Sequence, residues 1–173
     1  MGKNTEKVIT IDPATASMGY AVWSVDKRQR TGKLESSGTV VGRHSKKKDG
    51  DDAWLLNSDA QVAAVLEIVW EMRISKCVIE MPQAFHSERS YAAMGSIIKL
   101  AAFVGALRMA LNDKDVEVML ATVGKWKGTT PKNVTMQRIR KWWNWQGKDH
   151  NEGDAVGIGD WYIRKHLKYS AVK

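Results

Sequence analysis

The segment VITIDPATASMGYAVW, residues 8–23, decides how the rest of the chain is read. Val8, Ile9 and Ile11 are β-branched and apolar, as in a strand buried on both faces. Asp12 follows directly, and a carboxylate at the tip of a buried strand costs several kcal/mol unless it is paired or binds a metal. Pro13 to Ser17 reads as a short turn of small residues, and MGYAVWSV, 18–25, as a second strand paired with the first in a hairpin.

Downstream, KLESSGTVV, 33–41, extends the hairpin to a three-stranded meander. GRHSKKKDGDD, 42–52, is a charged loop that either stays solvated or meets nucleic acid. Residues 58–72 carry Val62, Val65, Leu66 and Val69 at helical spacing, with Ser58 or Asp59 as cap. KCVIEM, 76–81, is a fourth strand, and it too ends in a carboxylate, Glu80. A long helix rich in small residues is expected over 91–111, a fifth strand over 116–123, a basic loop GKWKGTTPK, a helix from Pro131 to about Trp145, and a last helix over 151–166. The result is one α/β domain, 1–173, with a mixed five-stranded sheet. Its first three strands are antiparallel, the remainder parallel, and helices flank it.

The composition narrows the partner. Lys and Arg number 27 against 19 Asp and Glu, a formal charge of +8, which favours a polyanion such as nucleic acid. Cys77 is the only cysteine, so no intrachain disulfide or cysteine zinc cluster forms, and its apolar context reads as a core thiol. No secretory leader is recognised and no apolar run is read as a membrane span, so the expected setting is cytoplasmic without a membrane partner.

A third acid stands out in HNEGDAVGIG, 150–159: Asp154, in the first turn of an otherwise apolar helix. Singly, each acid has an ordinary reading: Asp12 as a turn residue, Glu80 as an ion-pair partner, Asp154 as a complement to the helix dipole. Together on a basic chain they compose the hard oxygen set that Mg²⁺ needs. Two such ions can activate a water and stabilise the leaving oxygen of a phosphodiester.

IDPATASMGYAVW, CVIEMP and HNEGDAVGIG, in this order, resemble the RuvC-type Holliday junction resolvases of the RNase H-like (retroviral integrase) superfamily, and most closely their phage-encoded branch. The resemblance runs from about Val8 to about Arg164. It implies an RNase H-like fold and a Mg²⁺-dependent endodeoxyribonuclease, with Mn²⁺ a substitute and two ions per site. It implies a homodimer acting on four-way and other branched DNA in recombination or repair, in the host cytoplasm if phage-encoded. Asp12, Glu80 and Asp154 match the family's metal ligands. The family's fourth group precedes the last Asp by one turn; Asn151 stands at i−3, so His150 at i−4 is the first choice and Glu152 the second. Lys125 and Lys132, with Lys127 beside them, match DNA-contacting lysines, and Phe85 matches an aromatic that wedges into the junction. Trp126 either stacks on DNA or plugs the core, and at least one of Trp142, Trp143 and Trp145 is exposed. The helix over 91–111 is the implied dimer helix. Ala14 replaces the family's Gly after IDP. Two other readings stay open: a ribonuclease on RNA–DNA hybrids, and a non-catalytic binder of branched DNA.

Overall fold

The structure is a computed structural model that describes residues 4–83 and 91–172. Three strands come first: β1 (Thr5–Asp12), β2 (Ser17–Asp26) and β3 (Thr31–Val41). After one helical turn, α1 (Lys46–Asp49), come α2 (Ala53–Met72), β4 (Lys76–Met81), α3 (Tyr91–Asn112) and β5 (Glu117–Thr122). The short α4 (Val123–Trp126), α5 (Lys132–Trp143), α6 (His150–Asp160) and a wider π-helical continuation to His166 complete the helices, and β6 (Ser170–Ala171) closes the sheet.

The sheet order is β5-β4-β1-β2-β3-β6. β1 pairs antiparallel with β2 and β2 with β3, whereas β4 runs parallel to β1 and β5 parallel to β4. Among the described residues the sheet therefore has six strands rather than the five expected. β6 is two residues long, too short for any apolar period to announce it, and pairs parallel with β3 at Thr31 and Gly32.

Strand alternation divides the core in two. Ile9, Ile11, Cys77 and Ile79 face α2 and α3, meeting Val65, Phe103 and Leu107. Val8, Val78, Ala21 and Trp23 face the other way, toward Ile139 on α5 and Ala155, Val156 and Ile158 on α6. Cys77 is fully buried, and desolvation raises its thiol pKa, as befits a core thiol.

Several expected boundaries move. α2 begins at Ala53, and Ser58 is no cap: it is buried in the helix and donates to the Trp54 carbonyl at 2.7 Å. α5 stops at Trp143, where Asn144 turns left-handed (φ 53°). α6 begins at His150 because the Asp149 side chain accepts from the N–H groups of Asn151 (2.9 Å) and Glu152 (3.0 Å). The chain also holds a stretch, Met94–Asn112, long and apolar enough by length and composition to cross a membrane, which the sequence reading passed over. In the fold, α3 packs through Phe103, Val104, Leu107 and Leu111.

Candidate active site at the sheet edge

Parallel pairing puts the C-terminal ends of β1, β4 and β5 on one edge. Ile11 lies opposite Ile79, so Asp12 and Glu80, the next residues, are level there. Both continue the parity of Val8 and Val78, on the face that carries α6.

α6 delivers the third acid. Thr10 on β1 donates its hydroxyl to the Ala155 carbonyl at 2.7 Å and accepts the Trp23 indole N–H at 3.0 Å. Asn151 donates its amide to the Ser17 carbonyl at 2.6 Å. The helix start lies so close to β2 that a Cβ on Gly19 would overlap the Asn151 carbonyl. These contacts set Asp154, the residue before Ala155, over the edge occupied by Asp12 and Glu80.

The electrostatics show that the three acids share one environment. Burial, and then the charges of Glu80 and Asp154, raise Asp12 to a pKa of about 8, despite the opposing Lys132 and Lys127. Glu80 is also raised, chiefly by burial, while the indole N–H of Trp126, 2.6 Å from its Oε2, works the other way. Asp154 is held by Lys132 (Nζ–Oδ2 2.9 Å), with Lys127 3.8 Å from Oδ1. That Oδ1 is buried and has no hydrogen-bond partner.

The donor set has the chemistry of a hard divalent cation site: three carboxylates, one bare buried oxygen, and a burial that, with the charges of Glu80 and Asp154, raises the pKa of Asp12 to about 8. Yet among the described residues no three His, Cys, Asp or Glu side chains stand close enough together to hold a metal ion as they are. The chemical type of the acids fits a divalent cation; their spacing does not form a cluster that holds one, and Asp154 is paired with lysines instead.

The other expected site residues separate. Lys125 is exposed on α4. His150 is exposed at the start of α6, and among the described residues no hydrogen bond or ion pair links it to the three acids. The Oε1 of Glu152 accepts from Ser37 (2.6 Å) and Trp145 (2.9 Å), tying α6 to β3. Asn151, the residue that departs from the family pattern, serves as the tie to Ser17. Phe85 lies outside the described residues.

Solved structures provide the comparison. Thermus thermophilus RuvC in complex with a Holliday junction substrate is similar at TM-score 0.69 and 18% identity, over 93% of this chain and 97% of that one. The chain has the RuvC-type, RNase H-like fold. The yeast mitochondrial Holliday junction resolvase (TM-score 0.59, 11% identity, 94% and 82% of the two chains) and the fowlpox virus resolvase (0.54, 13%, 91% and 98%) share it. No family model and no curated protein matches the sequence.

On this RuvC-type fold one contact of Glu80 is not legible in the sequence. Trp126 is neither exposed for stacking nor only a plug: its ring is buried against Gly157, and its N–H reaches Glu80. A buried tryptophan needs a partner for its N–H, but which acid it meets cannot be read from a loop without strand parity. Of the α5 region tryptophans, Trp143 and Trp145 are buried; Trp142 is exposed and lies under the Arg164 guanidinium, 4.0 Å from the ring centroid.

Proposed function

We propose that the protein is a divalent-metal-dependent endodeoxyribonuclease that resolves four-way and other branched DNA as a homodimer. The observation that carries this reading is the gathering of Asp12, Glu80 and Asp154, from positions far apart in the chain, onto one basic sheet edge. Asp12, Glu80 and Asp154 would hold the cation, Mg²⁺ or Mn²⁺, which when bound supplies Lewis acidity at the scissile phosphate. Trp126 orients the Glu80 carboxylate. Lys127 and Lys132 offer positive charge to a phosphate beside the acids. His150 remains the candidate fourth group, one turn before Asp154.

The DNA path has two basic banks. Lys125, Lys127 and Lys132 follow β5 at one side of the acids. At the other, the Gly42 N–H donates to Ala16, just past Asp12, at 2.7 Å, and exposed Arg43, Lys47 and Lys48 follow. Asn57, buried on α2, fixes that second bank by bonding both the N–H (2.9 Å) and the carbonyl (3.0 Å) of His44. β5 and β3 are four strand intervals apart, about 19 Å, close to the width of a nucleic-acid duplex.

The dimer face is a stripe on α3. Met94, Ile98, Ala102, Gly105 and Met109 recur at intervals of four, four, three and four, and all are exposed. Ile98 at 63% and Met109 at 75% exposure are costly to leave in water, while Ala102 and Gly105 permit close approach of a second helix. Sedimentation of wild type against Ile98→Glu tests it, a dimer and a monomer being the expected species.

The deciding experiment is cleavage of a labelled synthetic four-way junction, beside linear duplex and RNA–DNA hybrid, with and without Mg²⁺. Paired symmetric nicks in the junction alone, requiring Mg²⁺, are expected. Preferential cutting of the hybrid would assign a ribonuclease; tight junction binding without cutting would assign a binding protein.

A further inference from the structure

The pairing of Asp154 with lysines, instead of with the other acids, has a functional reading of its own. Lys132 opens α5, and its side chain is 43% exposed, so its flexible stem is free to swing outward. Lys127 is more enclosed, resting over the Trp126 ring at 5.4 Å. Both ammonium groups lie on the side chain that would complete the metal site, and Asp154 can serve them or a cation, not both at close range. We propose that Lys127 and Lys132 are exchangeable counter-ions of Asp154, which occupy the cation's place in the metal-free chain and are drawn off by DNA phosphates, so that metal and DNA bind cooperatively.

The proposal rests on the nuclease reading above. Its physical basis is competition among like charges: a divalent ion approaching Asp154 is repelled by two ammonium groups already there, and a phosphate relieves that repulsion by pairing with them. Thermodynamic linkage makes the effect reciprocal. Whatever factor DNA adds to metal affinity, metal adds to DNA affinity, typically about 5- to 150-fold for coupled sites. The two lysines offset part of the negative charge around Asp12 and Glu80.

Two measurements on the full chain test this, neither using cleavage. The first is Mn²⁺ binding without DNA, followed by loss of the free-ion electron paramagnetic resonance signal. The double variant Lys127→Met/Lys132→Met is expected to bind Mn²⁺ about tenfold more tightly than wild type, and Lys132→Arg, which keeps the charge, to bind as wild type does. Equal or weaker Mn²⁺ binding by the double variant, with an unchanged melting curve, overturns the proposal. The second is binding of a labelled four-way junction in EDTA. At pH 9, where Asp12 with its pKa of about 8 is ionised too, Asp154→Asn and Asp12→Asn each remove one negative charge, but only Asp154→Asn frees the lysines and is expected to bind more tightly; equal affinities overturn the proposal. Failure of wild type and every variant to bind Mn²⁺, with or without junction, is a different result: it overturns the nuclease reading and the proposal with it.

Discussion

The indole N–H of Trp126 meets Glu80 Oε2 at 2.6 Å, so the strand-end acid of β4 is aimed by the residue that closes α4. A hydrogen bond to a charged group is worth about 1.5–3 kcal/mol. Trp126→Phe keeps most of the buried ring and removes only the donor. Single-turnover cleavage of a four-way junction is expected to slow by about one to two orders of magnitude if the full bond acts in the transition state. The far-ultraviolet spectrum should be retained. An unchanged rate would reduce Trp126 to a core residue.

Asp12 gives the metal-free chain a pH dependence of definite sign. Its folded pKa is raised from an ordinary carboxylate value of 3.8 to about 8, so between those limits the folded state holds a proton that the unfolded state has released. Stability conferred by that proton is complete below the unfolded pKa and is lost as pH rises through the folded one. In EDTA the melting temperature of wild type should therefore fall, relative to Asp12→Asn, from about pH 5 to pH 8. Parallel melting curves for the two proteins would contradict the raised pKa. Mg²⁺ should narrow the gap at pH 8, because a bound cation favours the ionised acid.

Gly19 is where α6 touches the sheet, and Gly19→Ala forces a Cβ into the Asn151 carbonyl. Backbone cannot yield as a flexible side chain does, so the helix start must lift. A loss of about 3 kcal/mol in urea unfolding is expected, with lower metal affinity because Asp154 moves with the helix. Wild-type stability would show that α6 has slack at this point.

The bank after β3 makes a prediction in salt. Replacing Arg43, Lys47 and Lys48 by Gln should weaken junction binding and flatten the slope of log affinity against log salt concentration by about 0.9 for each phosphate no longer neutralised. The change should be similar for junctions of different sequence. A variant with the wild-type slope would remove this segment from the DNA path.

Particular residues show why the fold was legible and parts of the site were not. Val8, Ile9, Ile11 and Cys77–Ile79 are apolar because both faces of the sheet are covered, and that pattern survives in the sequence as plain strands. Asp12 and Glu80 were visible because charge at the end of such a run is costly. The start of α2 was hidden by KKKDGDD, whose residues form short helical turns without a buried face. Glu152 and His150 could be ranked only by angle around a helix; what Glu152 does depends on Ser37 and Trp145, which only tertiary packing brings together. The lysine pairing of Asp154 joins residues 22 and 27 positions apart, from elements whose meeting no local pattern encodes.

Asp12, Glu80 and Asp154 arrive on β1, β4 and α6, separated by most of the polypeptide. During synthesis the third emerges only after β5, α4 and α5. A ribosome-bound chain that has not yet made α6 thus holds two of the acids and not the third. Under the proposed function, the growing chain stays harmless to the genome around it until its last helix has docked on Thr10 and Gly19.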